Sequence, residues 1–371
     1  MVELTTVLLL ALVAFAGGAF GASLGALPAF AFTGLVIIVG EVVNIGRDVT
    51  TAAAGDPGAL GTYGITANVG LGAGFGPHVA FAGGVAAAAY AARRGKLNAG
   101  FDYHEAKNIT HSLGTDADVL AVGGAFGAVG YLVYYLSLEA LVLPFDPVAF
   151  SIVVTAFLHR IAFGYPLVGD VRGGLLDMSP FERGERREPV TDGVGTGEGL
   201  DPAEKTATER RFVVEPWLPH QYRWRDVAVL GAVVGVFSAY IAYVTASPFL
   251  GFGITAASLV FLSLGMEEFP VTHHMALPAG LLVVALVPGA PGPELTAAAV
   301  QSAVPLWMVV AGGAALGLVG GLLGELSQRV LYAHADTHLD PPAASIVLTT
   351  FLIALLDIAG LFSQAFVPTG L

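Results

Sequence analysis

One stretch of this chain occurs twice. The segment from Asp146 to Leu158 returns without a gap from Asp340 to Leu352. Each copy opens with Asp-Pro and then places serine, isoleucine, valine, threonine and phenylalanine at matching positions. Both copies begin an apolar run that is the last of its half. If a unit with an odd number of membrane spans is duplicated, its two copies insert in opposite orientations. Many carriers and channels build one pathway from two halves in this way.

The composition supports a membrane setting. Apolar residues make up 55% of the chain and charged residues only 12%. Several apolar runs reach the roughly 20 residues needed to cross a bilayer core. Most of the 49 glycines lie within them, as expected where small residues let helices pack closely in lipid. Cysteine is absent, so disulfides, thiol catalysis and thiolate metal sites are excluded. Glu3 precedes the first apolar run and no basic residue does, so that run reads as a first span and not as a cleaved leader. The net charge of −13, with lysine only at positions 96, 107 and 205, suggests a high-salt (halophilic) setting and argues against nucleic acid as a partner.

The sequence predicts an all-α polytopic protein of ten spans, at 4–24, 27–46, 73–92, 118–138, 147–165, 227–246, 249–266, 272–289, 305–327 and 343–365. The expected organisation is a five-helix repeat over 1–165, a charged linker over 166–226 and a second repeat over 227–371. Further matches support the duplication. His78 and the six residues after it parallel His274 and its successors, and Val122-Gly123-Gly124-Ala125 parallels Ala311-Gly312-Gly313-Ala314. With ten spans, Arg93, Arg94, Lys96, Lys107, Arg160, Arg329 and the linker arginines fall on one side, and only Arg47 falls on the other. The positive-inside rule makes the basic side cytoplasmic, with both termini outside a multi-pass cell-membrane protein. The linker's end, Trp217 to Arg225, has the aromatic and basic residues of an interfacial anchor. Residues 47–72 have no counterpart in the second half and read as an outer loop, with a re-entrant segment as the alternative.

The candidate pathway residues are His78, His274, Asp146, Asp340, Glu267 and Asp357, followed by Ser151, Thr155, Ser345 and Thr349. Asp146 and Asp340 have two readings: helix caps ahead of an N1 proline, or cation ligands at the two ends of a path. His78 and His274 are equivalent ionisable groups near spans, where such groups often mark pathways; the plain alternative is a boundary histidine bonded to a loop. Glu267 and Glu268, like Glu41, end second spans, where a carboxylate opposes the helix dipole. Asp357 lies deepest and is a candidate for proton or sodium coupling. The hydroxyls line one helix face, unless they bond back to their own backbone. On the basic side, His104, His334 and His338, with Asp336, resemble ligands of a transition metal. No phosphate loop, nucleophile elbow or nucleotide fingerprint is present.

These features point to a transporter or channel for a small ion or small polar solute, moving between two inverted repeats with the third and fifth spans lining the path. Proton or sodium coupling would make a bound cation the one expected cofactor. The expected partners are the bilayer, the solute and further copies of the chain. A non-transporting membrane subunit and an intramembrane metalloenzyme are the alternatives. The plan of two inverted five-span halves is shared by unrelated carriers and by ammonium and urea channels, a likeness of architecture only.

Overall fold

A computed structural model describes residues 4–54, 64–97, 101–187, 211–288, 295–365 and 367. Among these residues the fold is helical; the only extended pairing is a single bridge between Arg186 and Phe212. Ten apolar helical segments form the bundle: α1 (Leu4–Leu24), α2 (Ala26–Ala54), α3 (Ala80–Arg93), α4 (Ala117–Ala140), α5 (Pro147–Ala162), α6 (Trp224–Thr245), α7 (Leu250–Ser263), α8 (His273–Ala285), α9 (Leu306–Leu331) and α10 (Pro341–Ile358). Six of them, α1, α2, α4, α6, α9 and α10, are long and apolar enough to cross a membrane. This is the architecture of a multi-pass membrane protein.

The other four are shorter than the sequence suggests. At 1.5 Å per residue, the 14 residues of α3 and the 13 of α8 extend about 21 and 20 Å, against a bilayer core of about 30 Å. Residues 73–79, expected within the third span, are turns. α7 breaks at Ser258 into two pieces. Every residue of α8 is buried, and so is nearly all of α3. A helix that is apolar all round belongs inside a bundle, and protein around its ends can satisfy the irregular backbone there. The stretch ahead of α8 shows how. Gln221 donates to the Val271 carbonyl (2.8 Å) and accepts from the Val271 N–H (2.9 Å), while the His220 ring bonds the Phe269 carbonyl (3.0 Å). The segment read as an interfacial anchor thus also splints the start of α8.

Glycine sets the closest helix contacts. Gly18 of α1 meets Gly123 and Gly127 of α4, and Gly235 of α6 meets Gly313 and Gly317 of α9. A Cβ on Gly130 would lie 1.8 Å from the His78 carbonyl oxygen, and one on Gly320 would lie 2.6 Å from that of His274. By these contacts Gly123 corresponds to Gly313, one residue away from the register read from the sequence. α1 packs on α3 and α4; α6 packs on α8 and α9. α2 packs on α7 and α5 on α10. The last two pairs are antiparallel. Asp146, at the start of α5, donates its N–H to Thr350 late in α10 (2.9 Å), while His159, late in α5, reaches Thr337 just before α10 (3.1 Å). Gly34 of α2 lies against Ala257, and Gly253 lies against Ile37 and Ile38. Apolar side chains such as Leu8, Leu12, Val229, Val233 and Trp307 cover the outside.

The loops at one end of the bundle form a polar cap. Lys96 pairs with Asp116 and Asp118, Arg93 reaches the Gly164 carbonyl, and Arg329 bonds the Tyr222 and Leu176 carbonyls. The basic loops of the sequence thus meet on one face, called here the linker side. At the opposite end α2 continues past residue 46 to Ala54, where a loop is expected, and residues Ile65–Gly70 form one helical turn packed against it.

Candidate functional site

A cavity of about 670 Å³ opens on the linker side, between the halves. Its walls come from the α2 start (Leu27, Phe30), from Phe81 of α3, from Leu259 and Leu262 of α7, and from the loop ahead of α10. Phe181, Phe212, Trp217 and Leu218 of the linker complete it. Most of this lining is aromatic or aliphatic. Most polar groups lie on two loops, Asp102, Tyr103, Lys107, Asn108 and Thr110 on one and His338 and Asp340 on the other; His273 comes from α8 and Tyr332 from the end of α9.

A buried charge network holds those loops. Lys107 Nζ lies 2.6 Å from Glu215 Oε2, with both side chains inaccessible, and 4.3 Å from the centre of the Tyr332 ring. Arg211 pairs with the other Glu215 oxygen at 3.3 Å and also with Asp336. Burial lowers the Lys107 ammonium to about 8, against the pull of Glu215. Burial raises the Tyr103 phenol, with Glu215 and Asp102 adding to the effect. Arg160, fully buried at the end of α5, bonds Thr337 and the Leu331 and Leu167 carbonyls. It thereby ties the first half to the loop carrying His338.

A second cavity of about 50 Å³ lies towards the far side. Asp146 and Asp340, Ala149 and Ala343, Ile152 and Ile346, and Pro77 and His273 all line it. Each pair occupies matching positions in the two halves. Phe30, Ile152, His273 and Asp340 line both cavities. Between the two cavities lies an aromatic cluster: Phe30 sits 4.8 Å from His273, 5.8 Å from Phe81 and 6.2 Å from Phe252, centre to centre.

The expected site residues divide accordingly. Asp146 and Asp340 line the second cavity and also cap their helices, accepting from the Ala149 N–H (2.7 Å) and the Ala343 N–H (2.8 Å). The cap reading holds for both. His78 and His274 line neither cavity. His78 stacks on Tyr134 at 4.6 Å, and His274 packs edge-on to Trp217 and against Gly324. Glu267 is exposed and Asp357 half-buried near the end of α10. Ser151, Thr155 and Thr349 bond back to their own helices, and Ser345 donates to the Gly320 carbonyl of α9. Thr155 also borders a closed gap beside His159 and His338.

Among the described residues, no three His, Asp or Glu side chains are grouped to hold a metal ion. His104 Nδ1 accepts from the Ala106 N–H, His334 bonds the Leu175 carbonyl and His338 bonds Asp340. Burial holds the His104 ring at about 3, and it lowers His338 against the pull of Asp340.

Several residues at the cavities or beside them are absent from the expected set. His273 was overshadowed by its neighbour, although its match to Pro77 was readable. Glu41 is buried and accepts from Thr66 and Ser247, each at 2.6 Å, so it does not rely on solvent. Lys107 and Glu215 form a pair between distant loops, and no local pattern announces it.

The chain belongs to the family described as "Family of unknown function (DUF7973)", matching it over residues 1–370. No curated protein and no solved structure matches it.

Proposed function

We propose that this chain, in a family whose description assigns no activity, carries a small solute across a membrane along the line of its two cavities. The observation that carries this reading is the shared lining. A wide cavity from the linker side and a narrow one towards the far side meet at Phe30, Ile152, His273 and Asp340. Residues at matching positions of the two halves surround the junction, as a pathway on a pseudo-two-fold axis requires. The antiparallel pairs α2/α7 and α5/α10 support an inverted relation between 1–165 and 227–371. The short, buried α3 and α8 resemble the discontinuous helices that form transporter sites. With the aromatic cluster closed, the protein is a carrier open to the linker side, which the clustered basic residues favour as cytoplasmic.

The absence of cysteine makes labelling the direct test. Ile152→Cys at the junction and Val148→Cys in the far cavity are placed singly in sealed, oriented vesicles and treated with a membrane-impermeant maleimide. The carrier reading expects Ile152→Cys to react from the linker side and Val148→Cys from the far side. If neither reacts from either side, the axis is dry and the chain is a non-transporting membrane subunit.

A further inference from the structure

We infer that the linker-side cavity binds an organic quaternary ammonium ion, held by the charge of Asp340 and by the rings of Phe30, Phe81 and Trp217. That this ion is also the cargo rests on the transport reading above; that it binds does not.

Size sets the class of ligand. Sites for small organic molecules measure roughly 300–1,000 Å³ and are mainly apolar, with a few placed polar groups. The cavity's volume of about 670 Å³ falls in that range, and an inorganic ion would leave most of it empty.

The sign of the charge follows from Asp340. This residue lines both cavities, and 11% of its side-chain surface stays accessible. Among the described residues no lysine or arginine pairs with it. Its oxygens accept from the Ala343 N–H and lie 3.3 Å from the His338 ring nitrogen, and burial disfavours the charged form of that imidazole. The N-terminus of α10 supplies only about half a positive charge. The carboxylate is therefore undercompensated, which is costly in an apolar wall. The other charged groups of the wall are matched: Asp102 by Arg186, and Lys107 by Glu215 in a network that Arg211 and Asp336 balance.

The rings decide what kind of cation fits. Aromatic faces carry negative potential and hold quaternary ammonium groups without hydrogen bonds. Phe81 and Tyr332 stand edge to face with the His338 ring at 5.9 and 5.3 Å, which sets rings beside the carboxylate. Two rings of this wall already carry cations: Tyr332 lies under Lys107 at 4.3 Å and Phe212 under Arg186 at 4.1 Å. Phe30, Phe81, Phe181 and Trp217 carry none among the described residues. A primary ammonium would need acceptors for three N–H groups, and Asp340 already serves a cap and His338. A quaternary ammonium asks only for charge and ring faces. An anion would be repelled by both.

The test uses the full chain in nanodiscs of lipids without choline, with empty nanodiscs as the blank. Equilibrium dialysis measures binding of radiolabelled benzyltrimethylammonium, of its uncharged near-isostere benzyldimethylcarbinol, of benzylammonium and of phenylacetate. The expected result is binding of benzyltrimethylammonium at least tenfold tighter than the other three. Asp340→Asn keeps an acceptor for the cap. It should bring the quaternary ion down to the affinity of the alcohol while the alcohol binds as before. Loss of the alcohol as well would mark a misfolded variant, and Phe81→Leu then carries the test. That substitution keeps apolar bulk and should weaken the quaternary ion about fivefold. No binding at millimolar concentration, equal affinity for the alcohol, the primary ammonium or the acid, or no effect of either substitution would each overturn the assignment. Repeating the dialysis in phosphatidylcholine nanodiscs identifies the source of the group: a tenfold loss of affinity assigns the site to a lipid headgroup, and unchanged affinity to a free ion. Uptake of the labelled ion into proteoliposomes separates binding from transport. Binding without uptake keeps the site and removes its ligand as cargo; the thiol labelling above needs no ligand and decides the transport reading by itself.

Discussion

The linker-side and far-side cavities share four lining residues and little else. The far cavity is lined by matched positions, with α5 set against α10 and Pro77 against His273, and it is almost filled. The linker-side cavity is more than ten times larger, and segments without counterparts in the other half build much of it. These are the loop carrying Tyr103 and Lys107 and the linker carrying Phe181, Phe212 and Trp217. In this reading the duplicated helices supply a scaffold with a seam, and the unduplicated segments turn one mouth of that seam into a site. Where paired positions differ, the chemistry differs too: the second half places His273 where the first places Pro77.

The harshest way to break the contrast is to empty the linker side of its charge pair. Lys107→Met leaves Glu215 buried with only Arg211 and the His104 N–H as partners and should cost about 3–5 kcal/mol, read as loss of folded protein in detergent unfolding. Adding Glu215→Gln should restore much of it; equal damage in single and double variants would show that the pair is not what holds the loops. The wild-type pair also has a pH signature. The folded Lys107 titrates near 8 and an unperturbed lysine near 10.5. Between those values the unfolded chain binds the extra proton, so stability should rise with pH across that window. Lys107→Met should flatten this rise.

A second comparison sets the two scaffold contacts against each other. Gly130→Ala and Gly320→Ala each push a Cβ into the carbonyl of an equivalent histidine, at 1.8 and 2.6 Å. Overpacking of this kind costs about 1–3 kcal/mol, and Gly130→Ala should be the more damaging in a thermal melt. The reverse order would mean that the two halves do not share this packing.

The smallest effects belong to the caps. Asp146→Ala and Asp340→Ala should each lose about 1 kcal/mol, with Asp340→Ala worse because His338 loses its partner too. The isosteric Asp146→Asn and Asp340→Asn keep the cap. If they nevertheless lower labelling at Ile152→Cys, the carboxylates contribute to the axis beyond capping.

Much of the scaffold was legible from residue order. The Asp-Pro starts of α5 and α10 announced both caps, and the apolar runs placed ten helical segments within a few residues at most ends. The exceptions were α3, whose apolar run begins seven residues before the helix does, α2, which runs on to Ala54, α10, which stops at Ile358, and α7, which breaks at Ser258. Hydropathy records where lipid or core is tolerated, and it does not register where a backbone turns. The site was legible only in part. Asp146 and Asp340 were named, but His78 and His274 drew attention away from His273. A shift of one position around a buried helix decides whether an imidazole meets the axis or a neighbouring helix.

The sequence by itself determined that this is a helical, multi-pass membrane protein, and it showed the Asp146–Leu158 segment returning at Asp340–Leu352. Lipid forces backbone hydrogen bonds inside each segment, so apolar length and repetition can be read locally. Only the tertiary structure decided which polar groups face the seam. The pairing of Lys107 with Glu215, the meeting of Phe30 with His273 and the opening of Asp340 into both cavities depend on helix rotation, on helix breaks and on contacts between distant loops. Those are set by packing, glycine against carbonyl and ring against ring, and no local pattern of residues encodes them.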